Sequence, residues 1–420
     1  MDAVWDVVVV GAGPAGASAA LSARQARPDA RILLLDRDDF PRDKSCGDGV
    51  APHVLDVLAS VGVVGIEAGY VGVERLRIGF ASGPAADGLM ARRAYVIPRE
   101  VFDARLVQAA VRREVDLRRH RVRKVAVTGD SGPVVLDDEI RARVVIAADG
   151  ASSVLRRQLS PSRIRATTWP PDWPHSWRFA GKPPGFGGAH TAMAIRGYAP
   201  VAPGRAGQQL IVFRDPDQGG GPTRPAYAWS FPIGDGRANI GYGELLGSGR
   251  SLSRQHLLDR LDELLPGATD GAESWRAHLL PLSTGRPRQP DGRILFAGDA
   301  MNLINPVTGE GIFYAVASGV LAGRAALEPG DPGRAYRASM RRTLGVHLRH
   351  TDAATLLARS SSVMAAALRA ADRNPRTFDD LVELGLGDGK LTPSALRGIA
   401  AASFNSQTGT SRRDAAPQTE

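Results

Sequence analysis

Cysteine is almost missing from this chain: Cys46 is the only one in 420 residues. A single thiol excludes an internal disulfide and any multi-cysteine metal site, and it fits a reducing compartment. No metal is expected. Long apolar runs are missing as well. Nowhere do 18 apolar residues follow one another, so no membrane-spanning helix is expected. The opening MDAVWDVVVVGAGPAG leads with Asp2 and Asp6, not with positive charge, and its apolar run breaks at Gly11. That is not the pattern of a signal peptide, and a cytoplasmic protein is expected. Zinc-finger spacing and RNA-binding aromatic motifs are absent, so the net charge of +9 does not point to nucleic acid. It reads as arginine spread over a solvated surface, with peripheral contact to an anionic membrane left open. The oligomeric state is also left open.

What is present reads as a soluble globular chain. The hydrophobic fraction of 43% is ordinary, and 420 residues are enough for two or three lobes. Residues 4–10 form a β-rich apolar run, followed by a glycine turn at 11–16, a small-residue helix at 15–26 and a second apolar strand at 31–36. Helices are predicted at 52–61, 99–113 and 309–327, and strands at 73–80, 142–150 and 293–298. A β-rich middle covers 191–198, 209–214, 226–232 and 237–243, and 333–400 reads helical. The densest basic run, 111–125, alternates with Val and Leu as one strand of a half-buried sheet would. Residues 159–190, with Trp169, Trp173 and Trp177 among six prolines, resist regular structure. The last twenty residues lack apolar periodicity and are expected to be a disordered tail.

GAGPAG matches G-x-G-x-x-G with Gly11, Gly13 and Gly16. Gly11 permits the tight turn, Gly13 lets the backbone approach a pyrophosphate, and Gly16 lets helix pack on strand. The helix start offers free N–H groups and partial positive charge to phosphate. Asp36, 20 residues after Gly16, ends the next strand, where a carboxylate can accept both ribose hydroxyls. This spacing fits NAD and FAD equally. No second such unit exists, so a separate nicotinamide domain is not evident.

ADGASSVLRR (148–157) and FAGDAMNLINPVTGEGI (296–312) resemble the later fingerprints of glutathione-reductase and hydroxybenzoate-hydroxylase type flavoproteins. The resemblance implies FAD. It implies that Asp299 binds the ribityl chain, and that the helix start near Gly311 and Ile312 faces the flavin O2 side. Arg99, in IPREVFDARL, matches the arginine that opens a helix beside the cofactor. Ala15, inside the first fingerprint, and Gly47 are expected to contact it too.

KSCGDGV (44–50) and YAWSFPIGDGRANIGYG (227–243) resemble two segments of the geranylgeranyl reductase family: Lys-x-Cys-Gly-x-Gly, and Y-x-W-x-F-P followed at a distance by G-x-G. By alternation alone, Tyr227, Trp229 and Phe231 share one face of a strand. The resemblance implies that this face lines an apolar substrate cavity. It places Cys46 beside the flavin, as proton donor, cavity wall or flavin contact. Lys44 is expected to lower its thiol pKa.

The expected architecture is α/β. A discontinuous Rossmann-type FAD-binding domain takes residues 1–70, 95–158 and 283–330. A β-sheet substrate lobe takes 71–94 and 159–282, and a helical C-terminal region takes 331–400, before the tail at 401–420. The resemblance implies an FAD-dependent oxidoreductase acting on a bulky apolar, isoprenoid-like substrate, with electrons from NAD(P)H or a partner reductase. Reduction of a C=C bond is the first reading. Flavin-dependent hydroxylation or epoxidation of a prenylated or polycyclic compound is the rival, and a non-catalytic flavin or prenyl-lipid binding protein comes third. A halogenase is disfavoured because position 227 is tyrosine and no lysine-bearing helix follows CGDGV.

Overall fold

The computed structural model describes residues 4–127, 129, 132–159, 190–215, 226–246 and 252–411. The proline- and tryptophan-rich stretch lies outside them, except for Leu159 and His190.

The first sheet grows from the valine run. β1 (Trp5–Val10) lies parallel between β2 (Ile32–Asp36) and β9 (Ile140–Ala147). Both faces of β1 and β2 are covered, so they read as continuous apolar runs without alternation. β6 (Asp116–Arg119) adds to the β2 edge. β8 (Val134–Leu136) and β7 (Val125–Val127) extend the other side, and β15 (Ile294–Phe296) pairs with β9.

α1 (Pro14–Ala26) starts with proline at its first turn, where the missing N–H costs nothing. It packs unusually close to α6 (Ile312–Ala325). A Cβ at Gly319 would lie 2.2 Å from the Ala15 carbonyl oxygen, and one at Gly323 2.1 Å from that of Ala19. α2 (Pro52–Ser60), α3 (Arg99–Val111) and the short α4 (Val154–Gln158) complete this half.

The second sheet has eight strands in the order β14-β10-β13-β12-β11-β4-β5-β3. These are Glu273–Pro281, Thr191–Pro200, Arg237–Leu245, Ala226–Pro232, Gln208–Phe213, Val73–Phe80, Ala85–Val96 and Gly49–Val50. Alternation divides its two faces. Ala226, Ala228, Ile240 and Tyr242 point to α5 (Arg254–Leu264), which offers Leu257, Leu261 and Leu264. Tyr227, Trp229 and Phe231 point the other way.

The C-terminal region is α7 (Pro332–Thr343), α8 (Gly345–Leu357), α9 (Ser361–Arg373), α10 (Pro375–Leu386) and α11 (Pro393–Ser411). Side chains of Asp331, Ser360 and Asn374 cap α7, α9 and α10. Each such cap adds about 0.5–2 kcal/mol. Leu368, Ala371 and Phe378 from α9 and α10 cover the sheet beyond the cavity, against Phe80 and Phe213. No described helix is long and apolar enough to cross a membrane.

Four segments depart most from the sequence expectations. The basic run 111–125 is not one strand. It ends α3, forms the four-residue edge strand β6, exposed throughout, and then leaves the sheet. Its Val/Leu alternation is divided among a helix end, an edge strand and the turns between them, which bury Val115 and Val122 but expose Val111 and Leu117. β5 and β14 were not foreseen, because their exposed, charged residues hide the alternation. α11 carries helix to Ser411, into the tail expected to be irregular from 401. Ala402 packs on Ala366 and Ala370, so small side chains supply a contact that apolar periodicity does not reveal.

Candidate functional site

Between the two sheets lies a cavity of about 980 Å³. Every candidate residue lines it except Gly16, which sits behind the turn. There a Cβ would fall 1.7 Å from the Gly11 carbonyl oxygen, so only glycine lets α1 approach β1. Gly11 itself takes φ +101°, with Ala148 O in the way of any side chain.

Beside this turn, at the C-terminal end of β2, Asp36 accepts hydrogen bonds from Ala12 N–H (2.8 Å) and Asp38 N–H (3.0 Å). Each oxygen keeps a further lone pair for a ribose hydroxyl. Gly13 is the N-cap of α1 and has no capping side chain. The nearest atoms to a Cβ there would be Arg42 Nη2 at 3.6 Å and Arg99 Nη2 at 3.9 Å. Uncapped N–H groups and two guanidinium groups therefore meet beside the glycine turn, a donor set suited to a pyrophosphate. Asp149 Oδ1 is buried without a partner on the cavity wall. The residues fit FAD.

The arginines are held by acids. Arg99 opens α3 and forms two 2.7 Å hydrogen bonds to fully buried Asp103. Arg42 lies 3.2 Å from Asp103 and 3.7 Å from Asp36. Burial works against the Arg99 charge, but Asp103 more than restores it and the pKa rises. Arg156 ties the second and third fingerprints, donating to Ala151 O, Ala300 O and Asn302 Oδ1, each at 2.7 Å.

Asp299 ends the FAGD turn and pairs with Lys44 at 3.1 Å. Burial would raise its pKa, but the Lys44 charge brings it below the usual carboxylate range. Lys44 is therefore committed to Asp299 and does not activate Cys46. Burial pushes the Cys46 thiol up, against a downward pull from Arg99. This corrects the expectation of a lowered thiol pKa: the thiol stays protonated at neutral pH.

Asn239 positions the cysteine loop. Its amide donates to Cys46 O (2.8 Å) and to Asp48 Oδ2 (2.8 Å), and accepts from Trp229 Nε1 (2.8 Å). Asp48 also accepts from Tyr198 Oη at 2.6 Å, and burial raises its pKa to about 6. Gly47 then faces the aromatics, where a Cβ would meet Phe231 at 3.5 Å and Trp229 at 3.7 Å.

The second motif has a matching explanation. In the β12–β13 register Tyr227 pairs with Gly243, Trp229 with Gly241 and Phe231 with Asn239. A Cβ at Gly241 would sit 2.2 Å from the Trp229 ring. The G-x-G glycines are thus the cross-strand seats of the two larger aromatics. Tyr227 Oη donates to Thr308 O, joining the aromatic strand to the loop before α6. α10 holds that loop from outside: Thr308 Oγ1 donates to Gly385 O at 2.7 Å, and Asn305 Nδ2 to Leu384 O at 3.1 Å. Gly311 is the N-cap of α6 and Ile312 its first residue, so the helix start opens on the cavity.

The sequence reading passed over several cavity residues. Glu310 lies inside the quoted GEG, and Asp48 inside CGDGV. Neither was given a role, although Glu310, a carboxylate between glycines at a helix start, is a visible signal. Glu310 Oε1 accepts Phe313 N–H at 2.8 Å, and burial raises its pKa to about 7. His278 is half-buried with its Nε2 covered and unpartnered, and burial followed by the Lys44 charge lowers its pKa to about 4. Arg42, Asp103, Asn239 and His278 carry no local signal, because their roles depend on contacts across the fold.

Residues 4–170 match the FAD binding domain family. The chain is 31% identical over 336 residues to a menaquinone reductase of Mycolicibacterium smegmatis, covering 76% of this chain and 75% of that one. It is 32% identical over 350 residues to digeranylgeranylglycerophospholipid reductase 1 of Methanopyrus kandleri, covering 77% and 80%. A geranylgeranyl bacteriochlorophyll reductase-like protein of Thermoplasma acidophilum shares the fold, with TM-score 0.70, 20% identity and coverage of 97% and 99%. A flavin-dependent brominase shares it too, with TM-score 0.65, 16% identity and coverage of 98% and 100%. Fingerprints, cavity and relatives converge: the chain belongs to the geranylgeranyl reductase family of FAD-dependent oxidoreductases.

Proposed function

We propose that this enzyme reduces C=C bonds in the isoprenoid chain of a lipid or quinone. The supporting observation is the wall of Tyr227, Trp229 and Phe231, seated on Gly241 and Gly243 and pinned by Asn239 to the Cys46 loop. Leu76, Ile211, Leu245 and Leu280 continue that wall. An apolar chain laid on it gains about 25 cal/mol per Å² removed from water. The names of the two curated relatives point to substrates of this kind.

Reduced FAD, when bound, supplies the hydride. The chain's own groups hold charge and protons around it. Lys44 neutralises Asp299, and Arg99 is fixed by Asp103. In this reading Cys46 is the proton donor, because its buried thiol keeps its proton. The apolar wall excludes water.

The sequence has one dinucleotide fingerprint, and the FAD takes it. The reductant is therefore a transiently bound NAD(P)H or a partner reductase. A lipid substrate and a net charge of +9 favour transient contact with an anionic membrane surface.

The test is turnover of an isoprenoid by dithionite-reduced enzyme, first without and then with O2. Product carrying two added hydrogens, formed anaerobically, is expected. Product formed only with O2 and carrying one of its oxygen atoms would establish the oxygenase rival. No product under either condition would favour a binding protein.

A further inference from the structure

On the β4, β5, β11 and β12 part of the sheet wall, one described polar side chain has no protein partner. Gln209, on β11, is 4% exposed and lines the cavity, yet its amide makes no hydrogen bond to any described residue. Its neighbour Gln208 shows the contrast: it points to the opposite face, accepts from Arg205 and donates to Asp87 at 3.0 Å. The other polar groups of the aromatic wall are engaged, Tyr227 Oη with Thr308 and Trp229 Nε1 with Asn239. Gln209 pairs in register with Leu76, and Ile211, Ala94 and Phe231 join it on the lining. Its amide opens on the cavity, so an apolar ligand laid over it strips its water and leaves it unsatisfied, whereas a ligand with a matching polar group does not incur that cost.

We propose that Gln209 recognises an uncharged oxygen of the substrate, a hydroxyl, ether or carbonyl, and so sets how the isoprenoid lies along the wall. The proposal rests on the isoprenoid reading above and goes beyond it to the polar group of the substrate. The chemistry of the patch selects a neutral group. A carboxamide offers two N–H donors and one acceptor without charge. β4, β5, β11 and β12 bring no lysine or arginine to the cavity lining. The described cations nearest the cysteine loop are already paired: Arg99 with Asp103, Lys44 with Asp299 and Arg196 with Asp43. A diphosphate would find no free counter-charge on this patch.

The test is equilibrium dialysis of the FAD-loaded oxidised enzyme with radiolabelled farnesol, farnesene and farnesyl diphosphate. Wild type should bind farnesol tighter than either of the others. Gln209→Leu should weaken farnesol about tenfold and leave farnesene unchanged, with FAD content and thermal unfolding as in wild type. Gln209→Met, which keeps the length and removes the amide, should behave the same way. Unchanged farnesol binding in the variants, or equal losses for farnesol and farnesene, would overturn the proposal. So would loss of folding in both variants, which would make the amide structural. Tight binding of all three probes without preference would sink this inference alone. Binding of none would sink the isoprenoid reading with it.

Discussion

The two walls of the cavity solve opposite problems. The nucleotide wall is charged, and each of its key cations already has a carboxylate: Arg99 and Arg42 share Asp103, and Lys44 has Asp299. The middle of the sheet wall facing it, β4, β5, β11 and β12, lines the cavity without a charged side chain, mainly with aromatic and aliphatic groups, and glycines of β13 lie beneath the aromatics. A prepaired polar wall fixes an anionic cofactor with little reorganisation at the moment of binding. An apolar wall attracts in proportion to area and is not directional, so it tolerates length and variety in what it holds. Selectivity on that side must come from shape and a few polar points. Mutations on one wall should therefore be silent on the other.

The junction of the walls is the place to break this separation. Cys46 belongs to the nucleotide side by sequence and is tied to the sheet side by Asn239. Cys46→Ala should keep its FAD and lose about 10²–10⁴-fold in single-turnover reduction, the usual contribution of a general acid. Cys46→Ser keeps the size but is far less acidic, so it should recover little. Near-normal turnover of Cys46→Ala would reduce this residue to a small side chain in a tight loop.

Within the nucleotide wall, Arg99→Ala leaves Asp103 fully buried with only Arg42 beside it. Breaking a buried pair in this way should cost about 3–5 kcal/mol in urea unfolding of the apoprotein. FAD retention should fall as well. Arg99→Ala/Asp103→Ala should regain most of the stability and none of the flavin affinity. If the double variant also regains flavin, Arg99 serves only the fold.

On the sheet wall, Trp229→Ala should raise the substrate KM by the equivalent of about 2–3 kcal/mol and leave FAD content unchanged. Phe231→Ala should do the same from the next position on that face, whereas Gly241 is no clean probe, because a Cβ there would also fall 2.3 Å from the Ile195 carbonyl oxygen and strain the sheet. Lost flavin in either variant would mean that the walls are coupled through Asn239.

The sequence shows these walls unequally. The glycine turn, Asp36, Arg99 and the FAGD strand end are legible because their work is local: a φ angle, a helix start, the end of a strand. YAWSFP is legible because the two faces of β12 meet different neighbours, so large aromatics on the cavity face alternate with small residues on the other. β5 and β14 were not legible, because exposed strands do not constrain residue type. The pairing of Lys44 with Asp299 was not legible either, since 255 residues separate them. That pairing reversed the expectation for the Cys46 thiol. Asn239 and Gln209 are ordinary polar letters in a strand pattern until the register of β10 to β13 and β4 places them.

Glu310 gives the smallest and most specific test, because it is the carboxylate of the helix start that no cation among the described residues pairs with. It faces Cys46 and Tyr227, while Arg99 and His53 act on it only at a distance. Burial sets its pKa at about 7 in the fold, against 4.5 as its ordinary value. Between those values the folded chain holds a proton that the unfolded chain has lost. Its contribution to stability is therefore complete below about pH 4.5 and lost as pH rises through about 7. The slope is at most about 1.4 kcal/mol per pH unit for one proton. Asp48, raised to about 6, adds a slope of the same sign, so the comparison must be between wild type and Glu310→Gln at each pH. The Glu310→Gln apoprotein should gain on wild type steadily from pH 5 to 7 in urea unfolding, and FAD content should not change. If the two stability curves stay parallel, the carboxylate is solvated, and this end of the cavity belongs to the polar wall and not to the dry one.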